Sequence, residues 1–226
     1  MLNLIRYKNE IATLAYRKPN SPHDFTYELI SGQYIKILKY IGTREHIIIP
    51  EKINGYNVKD IGDRAFADLN GDNGSISLKS IVIPAKVDVL RGYVFLNCTK
   101  LSAVKFKTPH IVTDYSIGAF QNTRALKAIA LPEYFGGGGR IAYYMFAGSG
   151  IESFTLSKNY TYINPYAFYG CPNLSALSNL YPLWYIYDKA FRECPKLFTA
   201  TLSQSCVYYT NGANASFDEQ VVIRRI

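Results

Sequence analysis

One pattern recurs down this chain and limits what it can become. A small or apolar residue followed by Phe returns six times, and five places before each Phe stands Ile, Leu or Tyr. The pairs are Ile61/Phe66, Leu90/Phe95, Tyr115/Phe120, Ile141/Phe146, Ile163/Phe168 and Ile186/Phe191. Successive Phe residues lie 29, 25, 26, 22 and 23 positions apart. A self-similar period in the twenties marks a stacked solenoid, in which each unit buries its apolar face only by packing on its neighbours. Such a fold presents extended surface rather than a built-in crevice for chemistry.

With the Phe as reference, the third residue after it is Leu69, Cys98, Thr123, Ser149, Cys171 or Cys194. Where the register holds, the sixth is Leu101, Leu126, Leu174 or Leu197, and the ninth is Val104, Ile129, Leu177 or Ala200. Two further on come Phe106, Leu131, Asn179 and Leu202. The fourth repeat is one residue short, so Ile151, Phe154 and Leu156 fill these roles. The first carries an insertion over residues 70–75 and regains the pattern at Leu78, Ile81 and Ile83. Each unit reads V-x-x-I-x-x-x-A-F-x-x-C-x-x-L-x-x-I-x-I-P.

The closing I-x-I has period two and predicts one short strand with alternate residues buried. The steps of three suit turns or a single 3-10 turn better than a full helix. Pro50, Pro84 and Pro132 end their strands, since Pro donates no ladder hydrogen bond. Strand on strand, at about 4.8 Å per rung, the rungs from Ile47 to Leu202 give a strip on the order of 30 Å long.

This consensus resembles the BspA-type leucine-rich repeat of bacterial surface proteins and related protozoan proteins. The residues that carry the resemblance include Gly62-Asp63-Arg64-Ala65-Phe66 with Leu78 to Pro84, Ile163 to Leu174, and Ile186 to Leu197. The lead-in matches too: Phe25 to Leu29, a Ser31-Gly32 turn, Tyr34 to Ile37, Ile47 to Pro50 and Ile53-Asn54-Gly55-Tyr56. The expected fold is an α/β solenoid: a right-handed leucine-rich-repeat coil of short parallel β-strands with turns or 3-10 segments and an N-terminal β-hairpin cap. Residues 1–24 form a leader of unassigned path, 25–45 the capping hairpin, 46–202 the repeats and 203–226 a C-terminal cap. Val221-Val222-Ile223 is the candidate for a last capping strand.

Composition narrows the partners. Charged residues make up 19% of the 226 and apolar ones 48%, so the chain is globular rather than disordered. The net charge of +8 favours acidic partners in principle. No dense basic run exists, however, and a specific nucleic-acid role is not expected. No apolar stretch is long enough for a transmembrane span. The N-terminal residues Met1 to Lys8 are broken by charge too early for a signal h-region, which leaves the compartment open between cell surface or secreted and intracellular.

Motifs for chemistry are weak. Gly136 to Gly139 invites a phosphate-loop reading, but Arg140-Ile141-Ala142 follows where Gly-Lys-Ser/Thr is needed, so a flexible loop is expected. Cys98, Cys171 and Cys194 share one repeat position with Thr123, Ser149 and Leu69, and read as small buried side chains. A Cys171–Cys194 bridge stays open. The His residues at 23, 46 and 110 do not share the cysteine position, so neither a metal nor any other cofactor is expected. No catalytic motif stands out, and no enzyme is expected.

Binding is the remaining option. The outward strand positions are mostly small and neutral: His46 and Ile48, Ser80 and Val82, Ala103 and Lys105, Ala128 and Ala130, Ser153 and Thr155, Ala176 and Ser178, Thr199 and Thr201. Small residues there fit close approach of a partner or tight curvature of the sheet equally well. Of the twenty Tyr, ten fall on loops and coil corners, among them Tyr93, Tyr144, Tyr181 and Tyr208, where each supplies contact area and a hydroxyl. The candidate contact residues are Tyr166, Tyr169, Trp184, Tyr185 and Tyr187, with Lys105 and Thr155 on the strand face. The resemblance implies a protein partner on a host matrix or cell surface, hence an interaction or adhesion module. The alternative is glycan or polyanion binding through surface Tyr and Lys or Arg. An exposed terminal strand offers a route to a homodimer.

Overall fold

The computed structural model describes residues 18–67, 78–111, 117–135 and 138–226. Most of the leader, the insertion at residues 70–75, Tyr115, Gly136 and Gly137 lie outside these. The chain is a β-solenoid of about eight turns. Among the described residues the only helical segments are two 3-10 turns, Pro22–Asp24 and Gly212–Asn214, so the expected α component is absent. The steps of three close as tight turns instead. Cys98 N–H donates to the Phe95 carbonyl and Ser149 N–H to the Phe146 carbonyl, three residues back.

The I-x-I strands stack in parallel and in register. His46–Ile48, Ser80–Ile83 and Ala103–Phe106 form one sheet, with Ile47, Ile81 and Val104 side by side. Ser153–Thr155 pairs with Ala176–Ser178, and Thr199–Leu202 with Val222–Arg225. The expected rung at residues 127–131 is not a strand. Tyr160 stands there where other coils carry Val87 or Leu183, and its hydroxyl reaches across to the Pro132 carbonyl at 3.0 Å. At the N-terminal end of this face Ile48, Ser80, Val82 and Ala103 are buried rather than exposed, as the sequence pattern had placed them. Ile48 and Val82 are adjacent in register and form their own small apolar cluster.

A second ladder runs along the V-x-x-I positions. Tyr56–Ile61 pairs with Val89–Leu90; further on, Arg140–Ile141, Tyr162–Ile163, Tyr185–Ile186 and Val207–Tyr208 pair successively, all parallel. The coils of 25 and 26 residues carry one more pair, His110–Ile111 with Tyr134–Phe135. Phe135 is buried there and meets Phe106 edge-on at 5.7 Å.

The Phe turns make the third seam. Tyr40, Phe66, Phe95, Phe120, Phe146, Phe168, Phe191 and Phe217 stack face to face, with successive centroids 5.0–5.8 Å apart. Each such pair adds about 0.5–1.5 kcal/mol beyond its buried area. Each Phe N–H donates to the residue before the next ring, as from Phe95 to Ala119, Phe146 to Ala167 and Phe191 to Ser216, all within 3.0 Å.

Both ends join this stack. Phe25–Ile30 and Tyr34–Tyr40 pair antiparallel, and Tyr34–Tyr40 also pairs in parallel with Tyr56–Ile61. Asn54 and Gly55, both at positive φ, turn Lys52–Ile53 back onto Tyr56–Ile61, the tight hairpin turn that Asn-Gly favours. At the other end Phe217 bridges Phe191, and Val222–Arg225 lies on Thr199–Leu202. Residues 203–226 therefore carry on the stack and both ladders, although nine residues rather than five separate Tyr208 from Phe217.

Candidate functional site

Two residues before each stacked Phe, the backbone is left-handed in six successive coils: Arg64, Tyr93, Gly118, Tyr144, Tyr166 and Lys189, with φ between +53° and +60°. Left-handed backbone costs a non-glycine residue on the order of 1 kcal/mol. The compensation is a hydrogen bond to the next coil. Tyr93 N–H donates to the Ile117 carbonyl at 2.7 Å and Tyr166 N–H to the Asp188 carbonyl at 3.2 Å, and the others follow suit.

The side chains at these positions form a row. Tyr144 and Tyr166 stack at 4.8 Å with planes 14° apart. Tyr93 lies across Gly118, where a Cβ would sit 2.5 Å from its ring. A cation closes each end, the Arg64 guanidinium 5.2 Å from the Tyr93 ring centre and Lys189 Nζ 5.3 Å from that of Tyr166. Tyr169 meets Tyr166 edge-on at 5.5 Å and hydrogen-bonds the Glu193 carboxylate, a bond that raises its pKa. Burial, chiefly, raises that of Tyr144 as well. These phenols are protonated donors at neutral pH.

A second aromatic group follows the short ladder. Tyr185 contacts Tyr187 at 4.5 Å and Tyr209 at 6.1 Å. Trp184, 62% exposed, packs edge-on against Tyr162, whose face carries Arg140 at 4.1 Å. The five aromatic residues singled out from the sequence thus fall into two groups, Tyr166 with Tyr169 and Trp184 with Tyr185 and Tyr187. Lys105 lies on Ala103–Phe106 and Thr155 on Ser153–Thr155, both on the strand face. Thr155 is exposed and its hydroxyl is 2.7 Å from that of Ser178. Tyr93, Tyr144 and Lys189 were not joined to the group by sequence reasoning. Their shared offset from Phe is visible in the sequence, but left-handed backbone at non-glycine residues has no local signal.

The polar interior is structural. Cys98, Cys171 and Cys194 each donate to the Phe carbonyl of the preceding coil, at 3.1–3.2 Å. All four cysteines are free and buried. The hydrogen bond with Cys171, together with burial, pushes the Cys194 thiol up, and burial does the same to Cys206. Cys194 and Cys206, raised in this way, are protonated and poor nucleophiles, whereas the burial of Cys171 is outweighed by its hydrogen bonds with Cys194 and Ser149, which lower its thiol. Asp60, 1% exposed, accepts both Nε and Nη2 of Arg91, with Nη2 at 2.8 Å. Among the described residues no three His, Cys, Asp or Glu side chains cluster for a metal, and no helix is long and apolar enough to cross a membrane.

In-register coils, a buried aromatic seam and outward rows of side chains define a repeat protein of the leucine-rich class. The chain belongs to the BspA-type leucine-rich repeat family, whose repeat it matches in six copies over residues 45–137 and 139–220. That family consists generally of binding modules without enzymatic activity. The fold is similar to a leucine-rich repeat protein of T. pallidum, with TM-score 0.70 at 20% identity over 89% of this chain and 92% of that one. It is also similar to a leucine-rich cell surface protein of Faecalibacterium prausnitzii, with TM-score 0.65 at 18% identity over 92% of this chain and 55% of that one. A third likeness is to a leucine-rich repeat protein of Bacteroides ovatus, with TM-score 0.64 at 20% identity, covering 84% and 50%. This chain spans about half the length of the latter two. No curated protein matches the sequence.

Proposed function

We propose that this chain is a non-enzymatic protein-interaction or adhesion module whose contact residues are the coil-corner aromatics. The observation that carries the proposal is the Tyr144–Tyr166 stack, held by strained but hydrogen-bonded backbone and flanked by Lys189. Rigid, half-buried tyrosines lose little conformational entropy on binding, which is why such residues dominate interfaces. Tyr166 and Tyr169 form one contact point, and Trp184, Tyr185 and Tyr187 a neighbouring one. Lys105 and Thr155 serve a third contact, on the strand face. The hairpin Phe25 to Tyr40 acts as the cap of the first coil, and the coil is right-handed. The similarly folded Faecalibacterium protein is a cell surface protein, which supports a cell-surface setting; a host-matrix or cell-surface partner follows from that setting.

Glycan or polyanion binding is the second reading, favoured by Lys189 and Arg140 lying over aromatic faces. Capture from host extracellular matrix and from cell lysate, at low and moderate salt, separates the two. A protein ligand retained at moderate salt and lost from Tyr144→Ala/Tyr166→Ala supports the first. A ligand released by moderate salt supports the second. Retention unchanged in the double variant removes the aromatic row from the interface. A terminal-strand homodimer through Val222–Arg225 would appear as concentration-dependent sedimentation.

A further inference from the structure

A groove of about 640 Å³ opens on the strand face between residues 127–131 and 152–157. It is built by two segments fastened at both ends and parted in the middle. At one end Glu152 N–H donates to the Lys127 carbonyl at 3.0 Å, and the Lys127 ammonium meets the Glu152 carboxylate at 3.1 Å. At the other end Tyr160 bonds the Pro132 carbonyl. Between these fastenings no parallel ladder, among the described residues, joins the two segments to one another.

The far wall is a strand with one edge open. Ser153–Thr155 pairs with Ala176–Ser178 and, among the described residues, has no ladder partner on its other side. Leu156 N–H donates to Ser178, so alternate groups, those of Ser153 and Thr155, face the groove. The lining alternates as a strand does. Ala128, Ala130, Ser153 and Thr155 are small and near the surface, while Phe154 and Leu156 are apolar and deep.

From this geometry we infer that the groove binds an extended segment of a partner protein as an added β-strand, with alternating apolar and small neutral side chains. Only another extended backbone meets an open edge at ladder spacing, and the alternation of the walls sets which side chains fit. The lining disfavours a charged strand, because its Lys127 and Glu152 side chains are already paired with one another and the other lining residues are neutral. The volume lies in the range of sites that enclose a short peptide or small ligand. The site is separate from the coil-corner tyrosines, so either can fail without the other.

The probe is a fluorescent, end-blocked peptide copying residues 174–180, the uncharged segment that natively pairs with the opposite edge of Ser153–Thr155. Anisotropy titration of the full chain is expected to saturate. Peptides N-methylated at alternate residues are made in both phases, and one phase should weaken binding at least tenfold because it removes the N–H groups that face the protein. Thr155→Pro removes the groove-facing N–H and spares the bond from Leu156 to Ser178; it should weaken the unmodified probe by a similar factor. Tyr144→Ala/Tyr166→Ala should leave the probe's affinity unchanged. Should Thr155→Pro misfold, as judged by circular dichroism, the N-methyl comparison decides alone. Absence of saturable binding, or equal binding by both methylated phases, overturns the proposal. A dimer of this chain that the peptide dissociates would assign the groove to a second copy and overturn it equally.

Discussion

Asp60 and Arg91 show what a single buried pair contributes at the residue scale. The Asp60 carboxylate is almost wholly removed from water and is compensated by two guanidinium nitrogens. Arg91→Met leaves that charge without its cation and should cost about 3 kcal/mol in urea unfolding, the usual penalty for breaking such a pair. A loss under 1 kcal/mol would mean that water reaches Asp60. Protonated groups in the core set a second expectation. Burial raises the pKa of Tyr160 and of Cys206, whereas the hydrogen-bonded Cys171 and Cys194 shift in opposite directions, so the expectation rests on the first two. In the unfolded chain thiols titrate near ~8.5 and phenols near ~10. Above those values the unfolded state binds fewer protons than the folded one, so stability falls as pH rises. These groups contribute in full below about pH 8, and the loss should steepen above about pH 9, by up to ~1.4 kcal/mol per pH unit per group. Cys206→Ser should flatten the first part of that fall. A urea midpoint that holds to pH 10.5 in the unaltered protein would contradict protonated burial. The same burial keeps all four thiols silent to an aromatic disulfide reagent until denaturant is added.

Among the elements, the short fourth repeat is the tightest point. Losing one residue after Phe146 draws Gly150 against the neighbouring coil, where a Cβ would stand 1.9 Å from the Arg124 carbonyl oxygen. Gly150→Ala therefore forces two backbones apart and should cost more than 2 kcal/mol, read as a lowered thermal midpoint. A Gly-to-Ala change at Gly170, which has open space around it but a φ of +66°, should cost less, through backbone strain alone. What the sequence made legible follows from period. The Phe spacing and the I-x-I pattern repeat over whole coils, so the long ladder and the ring stack could be read directly. The short ladder could not, because each of its strands supplies only two residues and shows one Ile per coil. Phe217 escaped the pattern because its coil is longer between Tyr208 and the ring. Asn179, out of place at an inward strand position, proves to be left-handed at φ 61°, with its amide donating to the Leu156 carbonyl. The rung at 127–131 reads as a strand locally, yet no strand forms there, and nothing in its own pattern marks the difference. The tyrosine row was hidden for a related reason, since its alignment depends on φ at residues whose side chains give no sign of it.

Over the whole molecule, what joins the N-terminal and C-terminal coils differs from what joins coils within each half. The strand sheets end at Ala103–Phe106 on one side and begin again at Ser153–Thr155 on the other. Across that middle the ring stack continues without a break, Phe120 lying 5.3 Å from Phe95 and 5.5 Å from Phe146. The turn hydrogen bonds from Gly118, Phe120 and Asn122 to the next coil continue with it. A solenoid's cooperativity is the sum of its nearest-neighbour interfaces, so the weakest interface decides whether it unfolds as one unit. Phe120→Ala removes both ring contacts where, among the described residues, ladder pairing is thinnest. Phe168→Ala makes a similar cavity between coils that both ladders also bind. Each should cost about 3–5 kcal/mol of cavity and transfer energy. Only Phe120→Ala should split a single urea transition into two, with a lower apparent m-value for each. Hydrogen exchange would then show protection lost first on one side of residue 120 and retained on the other. If Phe120→Ala unfolds in one step with an unchanged m-value, the halves are coupled by the turn hydrogen bonds and the short His110–Ile111 with Tyr134–Phe135 pair strongly enough to hold without the rings.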